Sequence, residues 1–598
     1  MSGSEGFPEL PEKYIYSLKT CEDDFRRHCL ESPPHHPGQM KIERHDQVEN
    51  CAGGFVFAVS DETRVRRFII LGSAAGVYYS SDQELTMKNI EALTKIIEKG
   101  HGSMILKEIY EVSLAGRNPK QDPLLMALAL CARYNVCELV AKAAPSGGDA
   151  TAVRRNYLNE LHKSAFSIVN DVCRIPTHLF TFVKYCEMIS QSTQIEEGKK
   201  STGWGRLMRS TIQQWYASKS PEQLAMYLTK YRQRGGWSHR DLFRLAHPKL
   251  KRNPENLLEY EQLYHFAVKG DLKTRKRNLS KEDAELEQLA SKYSALQMDV
   301  ELGSRALDFV EAVLALKNES DEGKVVEAIK KHQLVREHVP SQMLKSVAVW
   351  QALLENMPMT AMIRNLRKMQ SVGALTGKYR DIVVDKLTNK EELKRAKIHP
   401  IQVLIAKKVY EVGYGDTSES KWKPDEKIDE ALEEAFYKSF FNAPPTNKRY
   451  CFAFDVSGSM TFLMPFKMLS CRTASAALSL VSLRNEKAVE CVGFCHELVE
   501  LPFRGDWTLS KIEDYMDSLE TGATDCALPM LWAKEQNKQF DVFVIYTDSE
   551  TYYGDDTLTE DLCYVKLAGL DCTVKKKDFG LILQISEREG LRFYRFSS

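Results

Sequence analysis

The feature that most limits the fold of this chain is a helical periodicity that continues from about Gly53 to Asn442. Apolar residues recur at three- and four-residue spacing in segments such as 90–97, 123–130 and 350–354. Gly and Pro residues separate these segments. Helices in series over most of a chain predict an α-solenoid of HEAT-like repeats, and a long helical bundle is the alternative.

The pattern changes near Pro444, where short apolar runs typical of buried strands begin. Residues 449–455, 489–494 and 541–548 are such runs, and 468–483 carries small apolar residues at helical spacing. Alternating strands and helices predict a doubly wound α/β domain. Ligands of such domains bind beyond the carboxyl ends of the strands.

The chain of 598 residues is too long for one core, so we expect several parts. Residues 1–50 are polar and contain several prolines, which predicts a flexible arm. A helical module over 51–443 and an α/β domain over 444–598 follow. The sequence contains no apolar run of the roughly 18 residues that a membrane helix needs, and the first residues do not resemble a secretory signal. Fourteen scattered cysteines without metal-binding spacing indicate free thiols in a reducing cytosol.

Polar residues follow the strand candidates where ligands would gather. The first strand leads into Asp455, Ser457 and Ser459. The last strand ends at Asp548, and Thr524 lies in a glycine-containing loop between them. Because the strands end at one edge of the sheet, the oxygens of these side chains are expected to lie there together. Oxygen ligands of this kind suit Mg²⁺ in an octahedral site. The sequence therefore predicts a divalent-metal site, and a polar network that holds no metal is the alternative.

The same set of residues argues against an enzyme. A two-metal nuclease needs clustered carboxylates, whereas hydroxyls predominate here and no general base is apparent. Gly458, between the two serines, is expected to allow a tight turn.

Charge is distributed unevenly, although Lys plus Arg equal Asp plus Glu at 82 each. Residues 198–280 contain 18 Lys and Arg but only 6 Asp and Glu, an excess of 12 positive charges. A basic segment in a neutral protein is typical of a surface for a polyanion. On charge alone, a solvated helical face is the simpler interpretation.

Within that segment, residues 229–249 combine basic and aromatic side chains. Lys230 and Arg234 are four residues apart, and so are Arg240 and Arg244, so each pair is predicted to share one helix face. Basic helix ends beside aromatic residues can bind phosphates and stack on unpaired bases.

The boundaries of the second of these helices can also be predicted. Gly235 and Gly236 are expected to form a turn before it. Ser238 is placed as its N-cap, with Asp241 three residues further on. The helix is expected to end at His247, just before a proline.

Residues 229–249 resemble the Y RNA-binding motif of Ro-type ribonucleoproteins, the TROVE module family. Further matching segments are residues 172–180, 203–206, 358–366 and 396–400. The order of residues at the strand ends resembles the metal-ion-dependent adhesion site of von Willebrand factor A domains. The resemblance extends over about 53–550, with both parts in the family's order. The tail after Glu550 differs, so it is expected either to rebuild the sheet edge differently or to leave the domain incomplete.

For the RNA, the resemblance implies a ring of helical repeats bridged by the A domain. Y RNA would bind the outer basic surface through Lys230, Arg234 and His247. Misfolded small RNAs, such as 5S rRNA precursors, would pass a single-stranded 3′ end through the ring. Charge suggests further RNA contacts at Arg240, Arg244, Lys199, Lys200, Arg206 and Arg209.

For the metal, the resemblance implies that Ser457, Ser459 and Thr524 bind it directly or through water. Asp455 and Asp548 would supply the negative charge that balances the cation. An acidic group of a partner would bind at an open coordination position.

The resemblance thus implies a non-catalytic RNA-binding protein for small RNA quality control. Nucleases and other RNA-binding proteins are the expected partners of a cytoplasmic monomer with a nuclear pool. The alternative is a metal-dependent scaffold that binds proteins through the A domain.

Overall fold

The structure is a computed structural model with all side chains. It describes residues 10–29, 47–49, 55–57, 60–71, 82–116, 118, 120–134, 148–192, 194–196, 199–200, 203–249, 257–272, 304–414, 421–442, 445–462, 469–525, 528–547 and 584–585.

Helices account for most of the described part of the chain before residue 443. They are α1 (Tyr16–Cys29), α2 (Asp61–Leu71), α3 (Asp82–Glu98), α4 (Gly102–Ala115), α5 (Asp122–Arg133), α6 (Gly148–Ser167), α7 (Val169–Val172), α8 (Pro176–Ser192), α9 (Arg206–Ala217), α10 (Pro221–Lys230), α11 (His239–Ala246), α12 (Leu257–Lys269), α13 (Arg305–Leu316), α14 (Glu322–His332), α15 (Val347–Glu355), α16 (Met359–Ser371), α17 (Lys378–Thr388), α18 (Lys390–Arg395), α19 (Pro400–Val412) and α20 (Glu426–Lys438). Within the described residues, no helix is both long and apolar enough to span a membrane.

The helices pack in pairs, as expected for HEAT-like repeats. Close pairs include α5 with α8, α10 with α13, α14 with α15, and α19 with α20. Their apolar faces form one continuous core from Leu10 to Val310 and a second from Val313 onward. Phe309 packs against both cores, so the helical module is continuous.

The prediction of a flexible arm over 1–50 is wrong for residues 10–29. Helix α1 packs against α6 and buries Leu18 and Phe25, which are 0% and 2% exposed. Phe25 stacks on Tyr157 with ring centroids 4.8 Å apart. Glu22 accepts a hydrogen bond from the Ser103 backbone N–H at 2.7 Å. The apolar side chains of this segment recur at helical spacing, and burying them outweighs its polar composition.

Two segments that are distant in sequence meet within the helical module. A Cβ atom built on Gly116, at the end of α4, would lie 3.7 Å from Lys397 Nζ, just before α19. The module therefore folds back so that an early helix approaches a late one, as a closed ring of repeats requires.

Three short antiparallel hairpins accompany the helices, in segments where the sequence predicted no strands. They are β1 (Gln47–Glu49) with β2 (Phe55–Phe57), β3 (Gln194–Glu196) with β4 (Lys199–Lys200), and β5 (Gln233–Arg234) with β6 (Trp237–Ser238).

The α/β domain contains a mixed sheet with helices on both faces. Its strands are β7 (Arg449–Asp455), β8 (Ala488–Phe494), β9 (Leu498–Leu501), β10 (Val542–Tyr546) and β11 (Gln584–Ile585), in the order β11-β10-β7-β8-β9. Strands β10, β7 and β8 are parallel, and the two edge strands are antiparallel to their neighbours. The helices are α21 (Cys471–Asn485), α22 (Leu509–Asp517) and α23 (Leu528–Glu535).

Residues of the central strand alternate between two cores, as a doubly wound domain requires. Phe452 and Phe454 face the core that contains α21 and α22, whereas Cys451 and Ala453 face the one that contains α23. The strands predicted from the apolar runs at 449–455, 489–494 and 541–548 are all present.

The α/β domain is joined to the last helices of the module by a shared core. The Leu509 backbone N–H donates to Tyr437 Oη at 3.0 Å. The Arg484 guanidinium lies 4.3 Å from the Tyr437 ring centroid. Asn485 donates to the Phe440 carbonyl at 2.9 Å. These contacts hold α21 and α22 against the end of α20.

Candidate nucleic-acid interface and metal site

The hairpin before α11 owes its shape to two consecutive glycines. Gly235 and Gly236 have φ angles of +58° and +86°. Positive φ at both central positions is the geometry of a type I′ turn, which joins antiparallel strands in two residues. The turn therefore pairs Arg234 with Trp237 across the hairpin.

This hairpin corrects one prediction about the basic residues. Lys230 is the last residue of α10, whereas Arg234 lies in β5, so the two do not share a helix face. The glycine turn draws the two residues before it into a strand, which ends the helix earlier than the charge spacing suggested. Arg240 and Arg244 do lie together on α11, as predicted.

Helix α11 begins and ends where the sequence predicted. The Ser238 hydroxyl accepts from the Asp241 backbone N–H at 3.4 Å, and the Ser238 backbone N–H donates to Asp241 Oδ2 at 3.0 Å, which completes a capping box. His247 caps the other end in the left-handed conformation, with φ of +50°. Its exposed side chain therefore projects from the end of α11.

Helices α9 and α11 run side by side in the same direction. At their starts, the Trp204 and Trp237 rings lie 5.4 Å apart between centroids. Further along, Gln213 Nε2 in the second half of α9 donates to the carbonyl of Ala246, the last residue of α11, at 2.7 Å. This arrangement places the first turns of both helices on the same side of the module.

Basic side chains cover this side without neutralising partners. Within the described residues, none of the following forms an ion pair: Lys230, Arg234, Arg240, Arg244, Arg206 and Arg209. The five arginines are exposed, and Lys230 is half-buried. Unpaired charges on one surface create a positive potential that favours an anionic ligand.

For two predicted contacts the structure describes only the backbone. Lys199 and Lys200 form strand β4, which pairs with β3 next to α8. Their backbone therefore lies beside the same helix that supports the β5–β6 hairpin.

A buried network holds α11 in place beneath this surface. His239, the first residue of α11, lies with Nδ1 2.7 Å from Tyr216 Oη and Nε2 3.2 Å from the Tyr227 carbonyl. Burial lowers the pKa of His239 to about 4, so this side chain is neutral near pH 7. Trp215 Nε1 donates to the Cys173 carbonyl at 2.6 Å. The basic residues thus project from a rigid support.

Replacing Gly236 with Ala is expected to destabilise the hairpin and weaken nucleic-acid binding. The φ of +86° would cost an alanine roughly 1 kcal/mol, although a Cβ atom there would meet open space. Hydrogen exchange of the hairpin amides and the affinity for a structured RNA would measure the two effects.

Gly373→Ala is the matched control, because Gly373 has a φ of +77° and equally open surroundings on a different helix end. It should lower stability by a similar amount without changing RNA affinity. Equal RNA affinity in both variants would contradict the importance of the hairpin.

Some residues beside this surface were not predicted from the sequence. Lys184 and Glu187 on α8 face the β5–β6 hairpin and α11 across a cleft. They precede the basic segment in sequence, and only the packing of α8 against the hairpin brings them there. No local pattern in the sequence marks them.

The candidate metal site is organised by Asp455 at the carboxyl end of β7, the central strand. Its carboxylate is fully buried, at 0% exposure. Oδ1 accepts from the Ser457 backbone N–H at 2.9 Å, and Oδ2 accepts from Thr547 Oγ1 at 2.7 Å. Thr547 directly follows β10, so the ends of two parallel strands meet as predicted.

The two serines fit a divalent cation. Ser457 Oγ and Ser459 Oγ lie 3.1 Å apart. Adjacent ligands of an octahedral Mg²⁺ lie about 3 Å apart, because each is about 2.1 Å from the ion. The serine pair therefore has the spacing of two neighbouring ligands.

The loop that carries Thr524 is anchored at the same edge of the sheet. The Asp525 backbone N–H donates to the carbonyl of Cys495, which directly follows β8, at 2.8 Å. A Cβ atom on Gly522 would lie only 1.8 Å from Nδ1 of the exposed His496 side chain, which would have to move to make room for it. Thr524 itself is 4% exposed.

The expectation for Gly458 is wrong, and the one for Asp548 concerns a residue that the structure does not describe. Gly458 has no positive φ, and a Cβ atom on it would meet open space, so the turn between the serines does not require glycine. Asp548 lies outside the described residues. Among the described residues, no group of three or more His, Cys, Asp or Glu could hold a metal.

Comparisons with known proteins agree with both parts of the chain. A family model described as the TROVE domain matches residues 48–411, and one described as the Ro60 vWA domain matches residues 449–567. The second match continues past Glu550, where the resemblance was expected to end.

Two curated relatives are similar over most of their length. The RNA-binding protein RO60 of Caenorhabditis elegans is 52% identical over 532 residues, which cover 87% of this chain and 82% of the relative. The RNA-binding protein RO60 of Deinococcus radiodurans is 30% identical, with 88% and 87% covered. The crystal structure of the Deinococcus radiodurans RO (RSR) protein matches with a TM-score of 0.64 and 30% identity, covering 83% of this chain and 88% of that one. The chain therefore belongs to the Ro60 family of TROVE-domain proteins.

Proposed function

We propose that this protein binds small structured RNAs on the surface formed by α9, the β5–β6 hairpin and α11. The observation that carries the proposal is the set of unpaired, exposed arginines beside the Trp204–Trp237 pair. Arginines contact phosphates, and exposed aromatic and guanidinium planes stack on unpaired bases. The relatives named RNA-binding proteins support the same function.

The RNAs that we propose are Y RNAs and misfolded small RNAs such as 5S rRNA precursors. Y RNA would contact Lys230, Arg234 and His247. A single-stranded 3′ end of a misfolded RNA would pass through the ring. The approach of Gly116 to Lys397 supports a closed ring. Single-strand binding in a channel depends on backbone charge more than on base identity.

We further propose that the protein holds RNA without cleaving it. The predicted metal site combines three hydroxyls with two carboxylates, whereas two-metal hydrolysis needs clustered carboxylates. Nucleases and other RNA-binding proteins would act on the held RNA. We propose a monomer in the cytoplasm with a nuclear pool, in keeping with the free thiols among the described cysteines.

A salt titration tests the proposed RNA binding. The affinity for a small stem-loop RNA should fall linearly with salt on logarithmic axes, because each phosphate contact releases counterions. Each arginine replaced by Ala should reduce the slope by about 0.7 to 0.9. An affinity that does not depend on salt would reject binding through this surface.

We also propose that Ser457, Ser459 and Thr524 hold a divalent cation, for which Mg²⁺ is the expected ion. Asp455 and Asp548 would balance its charge. A bound cation would supply an open coordination position for an acidic group of a partner protein. The 3.1 Å serine spacing supports this site and, with it, a second candidate function as a protein-binding scaffold.

Mg²⁺ is expected to raise the apparent unfolding temperature of metal-stripped protein, and Asp455→Asn should abolish that increase. A ligand at about 100 times its Kd stabilises the folded state by about 2.7 kcal/mol. Thermal unfolding with MgCl₂ or EDTA measures the effect. Asp541→Asn is the control, because Asp541 pairs with Arg449 at 2.7 Å in the same domain. An equal Mg²⁺ response in Asp455→Asn would place the cation elsewhere.

A further inference from the structure

A cleft lies between α8 and α11, next to the basic surface. Its volume is about 580 Å³, within the range of small-molecule sites. The lining residues are Lys184, Glu187, Gly235, Gly236, Trp237, Asp241, Arg244 and Leu245. We call it the α8–α11 cleft. It is large enough for a base that has left the stack of a bound RNA.

One wall of the cleft is apolar and aromatic. Trp237 is half-buried and is supported by the Trp204 ring. Leu245 is 37% exposed, although most large apolar side chains in the described part of the chain are buried. An indole face beside an exposed leucine suits the flat surface of a nucleobase, since stacking on an aromatic side chain contributes about 1–3 kcal/mol per base.

The opposite wall carries a carboxylate without a partner. Glu187 accepts no hydrogen bond and forms no ion pair within the described part of the chain. In Asp241, Oδ2 accepts from Ser238, whereas Oδ1 has no hydrogen bond there. Carboxylates repel phosphates and accept hydrogen bonds only. The interior of the cleft therefore suits a neutral group that presents N–H donors.

Among the RNA bases, guanine has the matching edge. Its N1–H and N2–H donors lie side by side and can both bind one carboxylate. Adenine and cytosine each place a ring-nitrogen acceptor beside the amino group, and uracil places its N–H between two carbonyls. Each of these acceptors would be repelled by the Glu187 carboxylate, because both groups accept hydrogen bonds and neither donates one. The cationic groups of Lys184 and Arg244 lie in the same cleft and suit the flanking phosphates.

We propose that the α8–α11 cleft binds an unpaired guanine of the RNA held on the basic surface. The base stacks on Trp237, Glu187 accepts its N1–H and N2–H, and Lys184 and Arg244 bind the adjoining phosphates. The proposal rests on the proposed RNA-binding function and gives it a base preference.

The test uses synthetic stem-loop RNAs whose uridine loop carries a single guanine, inosine or adenine. Inosine lacks the N2 amino group and keeps N1–H. The full-length protein should bind the guanine RNA about tenfold more tightly than the inosine RNA, since one hydrogen bond to a charged group contributes about 1.5 kcal/mol. The adenine RNA should bind more weakly still.

The variant Glu187→Gln should lose the preference for guanine, because its amide group places an N–H donor against one of the two guanine donors. Glu222→Gln is the matched control, because Glu222 is exposed in the same basic segment and does not line the cleft. It should preserve the preference for guanine. If Glu187→Gln instead strengthens binding of all three RNAs by the same factor and keeps the preference for guanine, Glu187 acts only through its charge and the proposal fails.

The outcomes separate this proposal from the proposed function. Salt-dependent binding with equal affinity for the three RNAs would overturn the guanine cleft and leave the RNA surface intact. Absence of salt-dependent binding to any of them would overturn both.

Discussion

Replacing Arg234, Arg240 and Arg244 together with Ala is expected to weaken binding of a small structured RNA about 100-fold. Each arginine should contribute about 1 kcal/mol through phosphate contacts, and tenfold in affinity corresponds to about 1.4 kcal/mol. Because all three side chains are exposed and form no ion pair within the described residues, the fold should not change. Filter binding or fluorescence anisotropy at fixed salt measures the loss.

The matched control replaces Lys317, Lys331 and Arg367 with Ala. These residues are also exposed, and they lie on or next to α13, α14 and α16. The control removes the same charge, so a general electrostatic effect would weaken RNA binding equally in both variants. We expect the control to lose less than threefold in affinity, since contacts at the basic surface, and not net charge, determine binding. Equal losses would show that the surface is wrongly placed.

The second large effect concerns pH. Burial lowers to about 4 the pKa values of five histidines: His162, His178, His239, His338 and His399. In the folded protein they stay neutral down to about pH 4, whereas in the unfolded chain they take up protons below about pH 6.5. The unfolded state therefore binds more protons between these values, and stability falls as pH decreases from about 6.5 to 4.

The free energy of unfolding should therefore fall steeply as the pH decreases. Each fully titrating histidine changes the free energy of unfolding by up to about 1.4 kcal/mol per pH unit. Burial raises the pKa of Glu22, which opposes the effect in part because the folded state then binds the proton more readily. We expect the apparent unfolding temperature to be markedly lower at pH 5 than at pH 7.5.

Single variants test the assignment to particular histidines. His338→Gln should reduce the pH dependence, because it removes one buried imidazole. His332→Gln is the control, because His332 is only half-buried on α14. An unfolding temperature that is constant from pH 7.5 to 5 would contradict the buried, neutral state of these side chains.

Local sequence signals predicted the ends of α11 well. Ser238, Asp241 and His247 act within one helix, so their roles depend only on neighbours in sequence. The strand ends around Asp455 were predictable for a similar reason. An apolar run buried on both faces indicates a parallel strand, and the topology then brings the residues after the strands to one edge.

Other features depended on competition between local signals. The charge spacing of Lys230 and Arg234 suggested one helix, but the turn at Gly235 and Gly236 formed a hairpin instead. Residues 1–50 are polar on average, so their composition predicted a flexible arm and gave no sign of the apolar face of α1. In both cases a few well-placed residues outweighed the signal on which the prediction rested.

The cleft could not have been predicted, because its two walls come from different parts of the chain. Glu187 on α8 and Trp237 in β6 meet only after α8 packs against the hairpin. Neither residue belongs to a motif with the other. Tertiary packing alone creates the juxtaposition of an unpartnered carboxylate and an aromatic ring.

Recovery of the protein's own RNA tests the central claim most directly. The full-length protein would be immunoprecipitated from its own cells and the bound small RNAs sequenced, with the His247→Ala variant in parallel. We expect short stem-loop RNAs to be enriched with the unmodified protein and lost with the variant, since His247 is exposed at the end of α11 on the proposed surface. Absence of enrichment from correctly folded protein would contradict RNA binding, and equal enrichment in both would place the binding surface elsewhere.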